Sequence, residues 1–192
     1  YEILSGLVGS EMCIRDRVWR GPMLMGALQQ MLSQVEWGEL DALIVDLPPG
    51  TGDVQLTLCQ KAELSGAIIV STPQDVALLD ARKGIEMFRR VEVPVLGVIE
   101  NMSTYICSEC GHEEAIFGAG GGSSVAMDYE TKLLAQLPLN LELRMASDQG
   151  RPLLQTSPDG DISQRFSDAA ATVVAQIDAQ TQSAPVINIF DD

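Results

Sequence analysis

Apolar runs of the length a membrane span needs, about 20 residues, are missing from this sequence, and no basic stretch leads into an apolar one near its start. Export or membrane insertion has no sequence signal behind it, so a cytoplasmic location is expected. Basic residues are scarce: 12 Lys and Arg stand against 27 Asp and Glu, a formal charge of -15. Nucleic acid and anionic membrane surfaces call for clustered positive charge, which removes both from the expected partners. The phosphate-binding pattern G-x-x-x-x-G-K-S/T occurs nowhere, and internal repeats are lacking. What remains is an ordinary globular balance, 46% hydrophobic and 20% charged over 192 residues, enough for one domain with a sizeable core.

Apolar periodicity lays out the elements. From Pro22, Met23, Leu24, Ala27, Leu28, Met31, Leu32 and Val35 recur at helical spacing. The run 41–46, mostly apolar, reads as a strand buried on both faces, with Gly66–Ser71 and Val93–Ile99 as two more. Asp53 is the expected N-cap of a helix through Leu64, and Asp75 that of a helix to about Val91. Residues 100–122 read as a long loop. A short helix around Ser124–Glu130, a strand around Leu133–Pro138 and a closing helix over Ile162–Ile177 follow, and 178–192 forms an acidic, loose tail. Strands alternating with helices predict an α/β fold with a parallel sheet.

Two places carry chemistry. In Cys107-Ser108-Glu109-Cys110, the spacing brings two thiolates onto one ion, and thiolates suit zinc or iron-sulfur clusters. Such centres usually take four ligands. Either His112 and another group complete the set, or two chains contribute a pair each and meet as a symmetric dimer; a redox-only or idle pair is the plainer alternative. His112 reads better as a loop residue than as a ligand, and Cys59, within a helix, as an inert buried thiol. The second place is "DLPPGTGD" at 46–53. An aspartate ending a buried strand, Asp46, before a stiff turn with Gly50 and Asp53, is what the Mg²⁺ and γ-phosphate side of a nucleotide site needs. The run "GAGGGSS" at 118–124 has glycines without the lysine that would cradle the phosphates. The methionines at 23, 31 and 87 read as core, and Arg82, Lys83, Arg89 and Arg90 as a solvated helix face.

Together, "WRGPM" at 19–23, "DLPPGTGD" at 46–53, "TPQDVALLDARKG" at 72–84, "ENMS" at 100–103 and "CSECGH" at 107–112 resemble the Mrp/ApbC family of P-loop iron-sulfur cluster carriers, relatives of the nitrogenase iron protein. The likeness runs from about Val18 to about Pro152. It implies a three-layer P-loop NTPase-like fold over 18–177 and a 4Fe-4S cluster held between two subunits by Cys107 and Cys110 of each. It further implies that Asp46 lies near the Mg²⁺ and its water, that Gly50 senses the γ-phosphate of ATP, and that Asn101 reads the adenine. Loading or hand-off of the cluster to apo-proteins would be coupled to ATP hydrolysis. A nucleotide-independent zinc- or cluster-binding module is the alternative.

The departure from that family lies upstream. Its members carry a lysine-rich variant of the P-loop before the Trp-Arg-Gly-Pro motif, where only 18 residues precede Trp19 here. Residues 1–17, "YEILSGLVGSEMCIRDR", resemble translated sequencing-adapter read-through, which implies a truncated reading frame and removes Cys13 from the ligands. Efficient ATP hydrolysis is then not expected. Without a P-loop strand, the strands ending at Asp46 and Ser71 lack their shared neighbour. Marginal stability, or a substitute strand from residues 1–9, is the expected consequence.

Overall fold

The computed structural model describes residues 21–47, 52–107 and 109–183. The chain forms two compact units, one ending at Ala62 and the other beginning at Glu63.

In the first unit α1 spans Gly21–Gln34 and α2 spans Asp53–Lys61. Ala27, Leu28, Met31 and Leu32 are half-buried while Gln29, Gln30 and Ser33 are exposed, the stripe that the spacing predicts. The Trp37 indole N–H donates to the Met31 carbonyl at 3.0 Å and folds the chain back under the end of α1. Gly52, not Asp53, holds the N-cap position of α2, and the helix stops at Lys61, short of Leu64.

The expected strand over 41–46 is corrected. Residues 42–47 have no regular structure, and Leu43, Ile44 and Val45 are exposed, Ile44 at 90%. A parallel strand is held by neighbours on its flanks, and none of the described strands pairs with this segment. An apolar run alone does not supply a ladder. The substitute strand expected from residues 1–9 lies outside the described residues, as does Gly50.

The second unit is built on a four-stranded sheet. β1 (Ala67–Ser71) leads into α3 (Asp75–Arg90), β2 (Val95–Ile106), the two-residue β3 (Glu113–Glu114), α4 (Gly121–Asp128) and β4 (Leu133–Leu139). α5 (Leu141–Asp148), α6 (Leu153–Thr156) and α7 (Asp161–Ser183) complete it. β2 is central, parallel to β1 on one side and β4 on the other, and antiparallel to β3 at its far end. Tyr105 pairs with both Glu114 and Leu139, so β3 continues the β1 side of the sheet.

α3 buries Ala81, Ile85, Met87 and Phe88, and its Gly84 lies over Ile69 of β1. Ile85, Met87 and Phe88 each contribute about 1.5–3 kcal/mol when fully buried, and the single methyl of Ala81 less. α7 is tied to the sheet by the Arg165 guanidinium on the Gln136 carbonyl at 2.7 Å and the Gln176 amide on the Leu96 carbonyl at 2.9 Å. On β1, Ile68 and Val70 stay exposed at 40% and 62%.

Several sequence expectations shift here. Gln74 holds the N-cap position of α3, which makes Asp75 its first residue, where a carboxylate suits the positive end of the helix dipole. The third strand continues to Ile106, because β3 and β4 flank what looked like loop. The helix expected at 124–130 begins at Gly121, and the closing helix runs to Ser183, taking 178–183 out of the expected tail. α5 and α6 were not foreseen, although Asn140 caps α5 by accepting the Leu143 N–H at 3.0 Å. Hydrogen exchange checks the 42–47 segment: its amides are expected to exchange near the unstructured rate while those of Leu96–Glu100 are protected, and protection of Leu43–Val45 at the β2 level contradicts the structure.

Candidate functional site

Ligands in α/β sheets collect outside the carboxyl ends of the parallel strands, and β2 delivers its chain there. Cys107 directly follows Ile106. Its N–H donates to the His112 carbonyl and its carbonyl accepts the Gly111 N–H, both at 2.9 Å, closing a tight turn around the Cys-x-x-Cys sequence. Gly111 sits at φ +70°, a conformation that side chains with a Cβ rarely adopt. Below the turn, Tyr105 and Ile106 pair with Glu114 and Glu113, and the Thr104 hydroxyl donates to the Glu113 carboxylate at 2.6 Å. The thiols thus stand at the tip of a hydrogen-bonded hairpin.

Cys107 is half-buried and Cys110 exposed. The Cys107 thiol is held below its ordinary range, first by the backbone N–H of Cys110, then by that of Glu109 and by the Cys110 thiol, against partial desolvation, with a smaller contribution from the Tyr105 hydroxyl. Donors aimed at sulfur favour the thiolate, the form that binds metals. This donor set fits a thiophilic metal or cluster. Burial pushes the Cys59 thiol up instead, as expected of an inert residue. His112 is exposed and serves the turn through its carbonyl. Among the described residues no group of three or more His, Cys, Asp or Glu side chains gathers round a common point.

Glu100, whose part sequence reasoning missed, is 1% exposed on β2. Its carboxylate accepts the Gly122 N–H at 2.5 Å, near the start of α4, and the Gln136 amide from β4 at 2.7 Å. The sequence signal was an acid ending an apolar run. Two glycines of the run 118–124 gain a packing reason: a Cβ on Gly122 would lie 2.8 Å from the Glu100 Cβ, and one on Gly121 3.0 Å from the Pro73 carbonyl oxygen. The run opens α4 against the sheet and the β1–α3 turn.

Next along β2, the Asn101 side-chain oxygen accepts the Met102 N–H at 3.0 Å. Met102 takes φ +54°, and the pairing with β4 slips between Asn101 and Tyr105. This irregularity turns the strand just before the hairpin. Asn101, Cys107 and Cys110 share one unit and one strand end, whereas Asp46, which is exposed, and Asp53, which opens α2, belong to the first unit. The basic stretch is more engaged than expected: Arg82 pairs with Asp128 at 2.8 Å, and Arg82 and Arg89 lie 5.8 and 4.9 Å from the Tyr129 ring centre.

Two outcomes follow from this geometry. Iodoacetamide at neutral pH should label Cys107 before Cys59, with mass spectrometry of timed digests as the readout; faster labelling of Cys59 contradicts the hydrogen-bond assignment. Gly122→Val should lower stability by roughly 1–3 kcal/mol through overpacking against Glu100, read from the midpoint of urea unfolding.

The profile of the ParA family described as "NUBPL iron-transfer P-loop NTPase" matches residues 9–174, a span that opens within the segment 1–17 read as foreign to the family. An iron-sulfur cluster carrier protein of Pseudomonas fragi is 54% identical over 155 residues, covering 81% of this chain and 54% of that protein. The iron-sulfur cluster transfer protein NUBPL of Mus musculus is 50% identical over 160 residues, covering 83% and 50%. The chain thus spans about half the length of the curated relatives it matches. Among solved structures, a nucleotide-binding protein of Archaeoglobus fulgidus in complex with ADP superposes with a TM-score of 0.62 at 39% identity, over 72% of this chain and 56% of that one. MinD of Pyrococcus horikoshii, at 21% identity and a TM-score of 0.57 over 78% and 55%, shares the fold. A family profile over most of the chain and half-identical relatives leave one assignment: the chain belongs to the ParA/NUBPL-type P-loop NTPase family, with its α/β fold.

Proposed function

We propose that this chain is the cluster-binding part of an iron-sulfur carrier, and that Cys107 and Cys110 of two copies together hold one 4Fe-4S cluster for transfer to apo-proteins. The observation that carries the reading is the hairpin turn: it presents two thiols, one favoured as thiolate, with no third protein ligand gathered beside them among the described residues. A centre needing four thiolates is then completed by a second copy. The names of the half-identical relatives, carrier and transfer proteins for iron-sulfur clusters, agree with it.

The nucleotide part of the proposal rests on the family and on the ADP complex of the Archaeoglobus protein. Asp46 would face the Mg²⁺, Gly50 and Asp53 the γ-phosphate side, and Asn101 the adenine of ATP. The lysine-bearing glycine loop is not in these 192 residues. Hydrolysis is therefore assigned to the whole carrier, not to this chain by itself. No helix among the described residues is long and apolar enough to cross a membrane.

Anaerobic reconstitution with iron and sulfide tests the reading. One visible-absorbing cluster per two chains is expected, with its absorbance abolished in Cys107→Ala and in Cys110→Ala. A colourless chain that instead binds one Zn²⁺ tightly as a monomer would replace it with a nucleotide-independent zinc module.

A further inference from the structure

The cysteine turn has a neighbour with an uncovered apolar side. β4 runs parallel to β2, with Leu139 paired to Tyr105. Two residues further on, Leu141 and Cys107 therefore leave the same end of the sheet side by side, from strands about 4.8 Å apart. A cavity of about 220 Å³ joins them, lined by Ile106 at the end of β2 and by Asn140 and Glu142 at the start of α5.

Leu141 opens α5, a helix of eight residues none of which is buried. Every other helix of the second unit buries at least one residue, as α3 does Ile85, α4 Val125, α6 Leu153 and α7 Ala169. Helices this short are marginal in water and draw their stability from the packing of a face. In α5 the half-buried Leu143 and Ala146 turn inward. Leu141 and Met145, one turn apart on the far side, are exposed at 56% and 44%. An apolar stripe on each of two sides is the pattern of a helix covered on both.

The donor count at the turn says what covers the outer side. Two thiols with no third ligand gathered beside them among the described residues need two more, which a second copy supplies. A copy that delivers its thiols to Cys107 and Cys110 lies against whatever flanks them, and on the β4 side that flank is α5. Each copy carries a formal charge of -15, so contact between like copies must be held by apolar burial, not by charge. We propose that the outer face of α5, Leu141 with Met145, is the surface on which a second copy of this chain seats, bringing the two cysteine turns together. The inference deepens the carrier reading and rests on it for the choice of occupant. Two-fold symmetry then sets the same patch of both copies at the interface.

The metal-free chain tests this without any cluster. In sedimentation equilibrium up to about 0.5 mM protein, a weak monomer–dimer equilibrium is expected, tightening from about 50 mM to about 500 mM NaCl as like charges are screened. Leu141→Gln with Met145→Gln is expected to weaken the dimer about tenfold. The urea midpoint of that variant should stay in place, because both side chains are exposed and glutamine is a good helix former. Val76→Gln with Leu79→Gln removes a similarly exposed apolar pair from α3 and is expected to leave the dimer unchanged. A chain that stays monomeric throughout overturns the proposal and leaves the face to another occupant, the remainder of the carrier or a recipient protein. Equal weakening in the two variants also overturns it, since apolar area in general then drives association. So does a dimer that weakens with salt, which ion pairs hold together. Iron and sulfide reconstitution is read separately: an α5-dependent dimer that takes up no cluster strikes the carrier reading and leaves the docking face standing.

Discussion

Double pairing of one strand is the constraint on which the second unit depends. Val95–Ile106 is hydrogen-bonded to β1 on one flank and β4 on the other, and its last residues exchange β1 for β3. Backbone groups satisfied on both sides leave the strand no cheap alternative conformation. That rigidity passes to whatever is attached to its end. Asn101, the slip at Met102 and the cysteine turn follow one another along it, so the thiols are placed by the sheet and not by a free loop.

A buried carboxylate completes the arrangement. Among the described residues no cation pairs with Glu100, yet both of its oxygens accept hydrogen bonds, one from the N-terminal turn of α4 and one from Gln136. Burial of an unpaired charge costs several kcal/mol unless such donors offset it, and a helix N-terminus supplies both a free N–H and a favourable dipole. The bond to Gly122 spans 22 residues and closes the base of the segment that bears the cysteines. Glycine at 122 is the counterpart of that carboxylate, since any larger residue would occupy the space of Glu100.

The contrast with the first unit is instructive. Leu43-Ile44-Val45 and Ile68-Ile69-Val70 look alike as sequence, both short apolar runs rich in β-branched residues ahead of a turn. The second becomes β1 because Val95–Glu100 pairs with it. The first stays irregular and exposed, with no described strand at its side. Pairing, and not propensity, separates them.

The sequence by itself determined the alternation of strand and helix from Gly66 to Leu139, the thiol pair after the central strand and the family to which the chain belongs. These are local patterns, periodicity and spacing, which a side-chain order carries without reference to distant residues. Tertiary structure alone decided how far β2 extends, which carboxylate is buried, why positions 121 and 122 are glycine and that residues 42–47 form no strand. Each of those depends on contacts between segments far apart in the chain, such as Glu100 with Gly122 and Gln136 or Tyr105 with Glu114 and Leu139. A hydrogen-bond ladder or a filled space has no signature in one segment, because half of it belongs to another.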